Sequence, residues 1–204
     1  MKKVLICLIA IITVFTITGC NKKEETKNNT PEGTKSTETN KNNSTEQNNG
    51  KALVLYFSAT GNTKKVAEKV ALESKSDIIE IIPKVAYKED DLKYSGDCRA
   101  NREQNDPKAR PEIKNDIDIT KYDTIYLGYP IWWGTIPKII LTLLDKYDFT
   151  NKTIVPFCTS GSTGIKGSVS DLRNYNNKLN IKDGKRYGTK FTDKDIKDLI
   201  NGNY

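Results

Sequence analysis

Ser58, Thr60, Asn62 and Thr63 crowd around Gly61 in the run S-A-T-G-N-T. Short hydroxyl and amide side chains offer hydrogen-bond donors with little bulk, and a glycine allows close backbone approach or positive φ. Leu53 to Phe57, just before the run, is apolar and aromatic, as a buried parallel strand should be. Asn62 to Leu72, just after it, carries Val66, Ala67, Val70 and Ala71 at helical spacing. The loop therefore opens a helix, whose unpaired N–H groups and positive dipole end stabilise an anion without any arginine. The chemistry this predicts is phosphate binding. The pattern G-x-x-x-x-G-K-[ST] is absent, which argues against a nucleoside triphosphate loop, while the same residue types also cap ordinary helices.

Two later segments have the same strand-into-loop character: Y-L-G-Y-P-I-W-W-G at Tyr126 to Gly134, and P-F-C-T-S-G-S-T-G at Pro156 to Gly164. The chain has no histidine, which removes Ser-His-Asp and Cys-His hydrolysis and histidine-ligated metal sites. Ser160 and Ser162 accordingly have no base to activate them. Cys98 and Cys158 are too few for a metal cluster; they either pair with each other or stay free, Cys158 then being a small buried hydrophobe.

The three segments, in this order, resemble the cofactor loops of the flavodoxin family, and the resemblance covers residues 51–204. It implies FMN as cofactor. Its 5′-phosphate would be held by Ser58, Thr60, Gly61, Asn62 and Thr63. Its isoalloxazine ring would be enclosed by Pro130, Ile131, Trp132, Trp133 and Gly134 on one side and by Thr159, Ser160, Gly161 and Gly164 on the other. Trp132 and Trp133 each have a large flat face that suits either stacking on the ring or core packing. Backbone N–H groups near Trp133 and Gly134 would reach one edge of the ring, and those of the Thr159 to Gly164 loop the pyrimidine edge. Flavin chemistry resides on the cofactor, so no catalytic residue and no metal are required. The leading expectation is an electron carrier serving a redox partner protein or a small electron acceptor. The alternatives are an FMN-dependent reductase of quinones or other small acceptors using NAD(P)H, and a binding module without FMN.

The elements that must position these loops alternate between strand and helix. Further strands are predicted at Asp77 to Ile82, Thr124 to Tyr129, Thr153 to Phe157 and Lys185 to Gly188. Further helices are predicted over Ile136 to Leu144, Ile165 to Tyr175 and, capped by Thr192, Asp193 to Ile200. This alternation predicts an α/β fold, a doubly wound parallel sheet with helices on both faces. The resemblance specifies five strands in the order 2-1-3-4-5, with ligands outside the carboxyl ends of the strands, where the phosphate and tryptophan loops fall. Residues 84–119 are too long for a tight connection and form either a lid or a partly helical crossover. By the resemblance this insertion lies near the flavin edge, so Tyr87, Tyr94 and Arg99 are candidates for substrate or partner contact.

The beginning of the chain is of another kind. Lys2 and Lys3 precede an apolar run from Val4 to Ile17 that ends I-T-G-C, shorter than the roughly 20 residues that span a bilayer. This predicts a signal peptide over residues 1–20. The ending resembles a bacterial lipobox, implying a lipid on Cys20 and an extracytoplasmic domain anchored to the cell membrane; an uncleaved anchor is the alternative. Residues 21–50 carry five Lys and five Glu and no aliphatic or aromatic side chain to bury, so they are predicted to be a disordered tether with a reach of roughly 30 Å. With that segment neutral and Lys2 and Lys3 set aside, the net charge of +7 leaves +5 on residues 51–204. The basic residues are interspersed with Asp and Glu and match no nucleic-acid module.

Overall fold

The computed structural model describes residues 50–204. The expected signal peptide, Cys20 and nearly all of the expected tether lie outside them. No helix among the described residues is long and apolar enough to cross a membrane.

Five helices alternate with the strands of one parallel sheet. The strands are β1 (Ala52–Tyr56), β2 (Asp77–Glu80), β3 (Thr124–Pro130), β4 (Thr153–Thr159), β5 (Asn180–Ile181) and β6 (Lys185–Tyr187). The helices are α1 (Asn62–Ser74), α2 (Arg99–Asn105), α3 (Lys138–Lys146), α4 (Lys166–Tyr175) and α5 (Asp193–Ile200). The order across the sheet is β2-β1-β3-β4-β5, and β6 also pairs with β4. This is the predicted 2-1-3-4-5 arrangement, with the fifth position shared by two short strands. β5 pairs with Thr153 and Ile154 and β6 with Phe157 to Thr159, so the edge is broken opposite the middle of β4. Gly184 sits in the break at φ +77°, where a Cβ would lie 2.1 Å from the Pro156 carbonyl oxygen. Only glycine tolerates both the conformation and that approach.

Strand residues alternate between two cores. Leu53, Leu55 and Phe57 join Ile139, Ile140 and Leu143 of α3 and Val169 and Leu172 of α4 on one face. Val54 and Tyr56 join Val66, Ala67 and Val70 of α1 and Ile196 and Leu199 of α5 on the other. Burial on both faces explains why β1, β3 and β4 read as continuous apolar runs. The predicted cap of α5 is present as a capping box, with Thr192 Oγ1 accepting from Asp195 N–H and the Asp195 carboxylate from Thr192 N–H.

The insertion is a partly helical crossover: a single 3-10 turn at Glu89–Leu92, then α2. Its return leg lies along the outer edge of the sheet just beyond β2. There Lys114 N–H donates to the Ile82 carbonyl (2.7 Å), and Lys84 N–H to that of Glu112 (2.8 Å). The Asn115 side chain accepts from Ile82 N–H (2.9 Å) and donates to the Glu80 carbonyl (2.9 Å).

Candidate functional site

Parallel strands all end on the same side, so the loops after β1, β3, β4 and β6 meet at the carboxyl edge. The first loop runs from the end of β1 into α1. Gly61, at φ +82°, precedes the helix, no side chain caps the first turn, and that turn contains no acidic residue. The Asn62 amide donates to Thr60 Oγ1 (3.2 Å), tightening the turn without filling its mouth. Ser58 Oγ is buried and has no hydrogen-bond partner. A buried hydroxyl costs free energy unless it is satisfied, and this one stands beside an uncapped helix N-terminus. An anion resolves both deficits, so the residues present fit a phosphate.

Thr63 and Thr159 bind the first loop to the third: their hydroxyls share a buried hydrogen bond of 2.8 Å. The second loop is pinned to the third by Ile131 N–H, which donates to the Thr159 carbonyl (2.9 Å). Beyond it the chain makes a two-residue hairpin in which Trp132 N–H donates to the Thr135 carbonyl and Thr135 N–H to that of Trp132, each at 3.0 Å. Trp133 (φ +50°) and Gly134 (φ +82°) form its tip, the φ signature of a type I′ turn. A tryptophan in the left-handed region is uncommon and must be held there by its surroundings.

The surroundings come largely from the insertion. Gln104 of α2 donates to the carbonyls of Trp132 (3.3 Å) and Ile136 (3.1 Å) and accepts from Lys138 N–H (3.1 Å). It clasps both ends of the turn. Tyr94, exposed, lies nearly parallel to Trp133, with centroids 5.2 Å apart and planes 17° from parallel. Trp132 instead packs edge-on against Phe57 (5.5 Å) and Tyr87 (5.0 Å) at the top of one core. The two tryptophans thus part: Trp132, half-buried, packs onto one core, and Trp133 stacks on Tyr94 of the insertion.

The third loop rests on β6. Ser160 N–H donates to the Tyr187 carbonyl (3.1 Å), Ser160 Oγ to the Thr163 carbonyl, and Arg186 Nη1 to the carbonyls of Ser160 (2.9 Å) and Gly161 (3.3 Å). Gly161 and Gly164 face open space. A cavity of about 140 Å³ opens between the first and third loops, with Thr60 and Asn62 on one wall and Ser160 and Gly161 on the other. Pro130, Thr159, Tyr187, Gly188 and Thr189 complete it.

Among the candidates in the insertion, Tyr94 reaches the second loop, whereas Tyr87 and Arg99 are engaged within the insertion itself. The Tyr87 hydroxyl donates to Glu103, whose other oxygen accepts from Arg99 Nε (2.7 Å), and the Arg99 guanidinium lies 4.0 Å above the Tyr87 ring. Tyr87 also lines a second cavity, of about 420 Å³, together with Ala59 and Thr60. Cys98 and Cys158 are both free and buried. Burial pushes the Cys158 thiol up to about 12, partly opposed by the nearby Arg186 charge, so it is inert as a nucleophile at neutral pH.

Sequence reasoning did not single out Gln104, Arg186, Tyr187, Gly188 or Thr189. Arg186 and Tyr187 belong to β6, and Gly188 and Thr189 follow it as the phosphate loop follows β1, a positional signal that a three-residue strand makes faint. Gln104 carried none, because its partners are 28 or more residues away.

A comparison with curated proteins gives no match. Among solved structures, a flavoprotein from Bacteroides eggerthii is 38% identical, with 74% of this chain and 96% of that one covered and a TM-score of 0.71. One from Bacteroides uniformis is 36% identical, covering 74% and 98%, also with a TM-score of 0.71. A Lactobacillus acidophilus flavoprotein solved in complex with FMN is 28% identical, covering 76% and 99%, with a TM-score of 0.56. The family model described as flavodoxin matches residues 51–203, and the chain belongs to the flavodoxin family.

Proposed function

We propose that this protein binds FMN at the carboxyl edge of its sheet and serves as an electron carrier, held outside the cytoplasm by a lipid on Cys20. The observation that carries the reading is the first loop: the buried, unpartnered Ser58 hydroxyl beside the uncapped start of α1. The family membership and the FMN complex of the Lactobacillus acidophilus relative support it.

FMN, when bound, supplies the electron-carrying chemistry. The chain's own residues then have three tasks. Ser58 and the first-turn N–H groups of α1, with Thr60, Asn62 and Thr63 around them, hold the phosphate through charge-assisted hydrogen bonds. The Trp133 turn and the Thr159 to Gly164 loop enclose the ring from two sides and limit its exposure to water. Ties such as Thr63 to Thr159 keep those walls at fixed separation, so little is reorganised on binding.

The test is the visible absorption of the purified protein followed by titration of the apoprotein with FMN and riboflavin. Tight FMN binding, with riboflavin weaker by tenfold or more, is the expected result; equal affinities would remove the phosphate site. Steady-state turnover with NADH or NADPH and a quinone, if substantial, would assign the reductase role instead of the carrier.

A further inference from the structure

Arg186 stands behind the wall of the cavity, and the described residues leave its charge uncompensated by any carboxylate contact. Its guanidinium lies against three cavity-lining residues. It donates to the carbonyls of Ser160 (2.9 Å) and Gly161 (3.3 Å), and Nη1 is 3.7 Å from where a Cβ on Gly188 would stand. Carbonyl oxygens satisfy its hydrogen bonds but cancel none of its charge. Lys185, one residue before, instead pairs with Asp198 at 3.1 Å and Asp195 at 3.7 Å. Arg173 pairs with Asp183 at 2.9 Å, and Arg102 with Asp97 at 2.9 Å. Among the described residues no carboxylate stands within 4 Å of Arg186. The acidic group bonded into the second loop, Asp171, accepts from Thr135.

We infer that Arg186 is an electrostatic tuning residue, whose unpaired charge behind the Ser160–Gly161 backbone favours the reduced form of a bound FMN over the oxidised form. The inference rests on the proposal that FMN binds here. Reduction by two electrons and one proton leaves the neutral oxidised ring as an anion, with the negative charge at the pyrimidine edge, which the third loop would face. In the assay the electrons come from a dye of known potential and the proton from buffer. A fixed cation near that edge lowers the free energy of the anion and leaves the neutral ring almost untouched. At a separation of about 8 Å and an effective dielectric constant of about 40, the preference for the reduced form is on the order of five- to tenfold. Because the guanidinium is braced by two carbonyls, the charge needs no rearrangement to act.

The experiment is redox titration of the FMN-loaded full chain against dyes, at low and high salt, for wild type, Arg186→Gln and Arg186→Lys. FMN dissociation constants are measured in both oxidation states. Arg186→Gln keeps a donor for the loop carbonyls but removes the charge. It is expected to weaken binding of reduced FMN five- to tenfold relative to oxidised FMN, and a tenfold loss corresponds to a potential about 30 mV lower for the two-electron couple. Arg186→Lys is expected to restore most of that difference, and high salt to shrink it. Equal weakening of both oxidation states, or identical potentials for the Gln and Lys variants, would make Arg186 a brace of the loop and overturn the inference. A wild-type protein that binds no FMN would instead overturn the reading of the site on which it rests.

Discussion

Replacing Ser58 with alanine should move the stability of the apoprotein and its affinity for FMN in opposite directions. In the ligand-free protein the Ser58 hydroxyl is buried without a partner, and such a group costs about 1 to 3 kcal/mol. Alanine removes the hydroxyl and opens no sizeable cavity. At the lower end of that range the apoprotein gains about 1 kcal/mol, which raises Tm by about 2 to 4 °C for a domain of this size. In the proposed complex the same hydroxyl would donate to a phosphate oxygen, a charged hydrogen bond contributing about 1.5 to 3 kcal/mol. Its loss weakens FMN binding about 10- to 150-fold. Riboflavin lacks the phosphate, and its affinity should change less than about twofold. Thr63→Ala is the internal contrast: Thr63 shares a buried 2.8 Å hydrogen bond with Thr159, so removing it strands that partner and lowers Tm even without ligand. Thermal unfolding of the two apoproteins and fluorescence titration with both flavins measure all four quantities. A Ser58→Ala apoprotein that melts below wild type, or equal weakening of FMN and riboflavin, would refute the reasoning.

Three further outcomes concern Gln104, Cys158 and Cys20. Gln104→Ala removes three hydrogen bonds from the backbone around the Trp133 turn and should weaken riboflavin and FMN by similar factors, of about tenfold, since it loosens the ring end and spares the phosphate end; titration with both flavins checks this. Cys158 ionises in the unfolded chain near 9.0 but is pushed up to about 12 in the folded protein, so above pH 9 the unfolded chain holds fewer protons. Its contribution therefore erodes stability as pH rises from about 9 to 12, and Cys158→Ala should flatten denaturation curves across that window. Cys20→Ala should abolish labelling by a radioactive fatty acid and leave the protein unprocessed or released, as seen by mass spectrometry and membrane fractionation.

The fold was legible because both faces of the sheet are buried. Leu53 to Phe57 reads as apolar throughout since alternate side chains enter different cores, and Val66, Ala67 and Val70 repeat at helical spacing because α1 covers one of them. Strand ends were misjudged where the ladder and the apolar run part company: Ile81 is fully buried and Ile82 follows it, yet β2 ends at Glu80 because beyond it the backbone turns to meet the insertion. β5 escaped notice because two residues give no periodicity. At the site, the small polar residues of the first loop were readable because their types suit only a few tasks. The separate fates of Trp132 and Trp133 were not, because what decides them is Phe57 and Tyr87 on one side and Tyr94 on the other, across long stretches of chain. Gln104 shows the general difficulty: an amide that holds a distant backbone is indistinguishable, in sequence, from one that faces water.

The broken fifth position and the return leg of the insertion together govern how this sheet meets other sheets. An open parallel sheet has two unpaired margins, each a template on which a foreign strand can add and from which aggregates grow. Here one margin consists of pieces two and three residues long, interrupted at Gly184, too short and too discontinuous for a stable extra strand. The other is occupied beyond β2 by hydrogen bonds from Lys114 and from the Asn115 side chain. The segment that positions Trp133 through Gln104 thus also caps the carboxyl end of that margin. Deleting residues 84–119 to simplify the domain would expose the end of that margin at Glu80 and Ile82 as well as loosen the ring end, and the product should self-associate more readily through added strands.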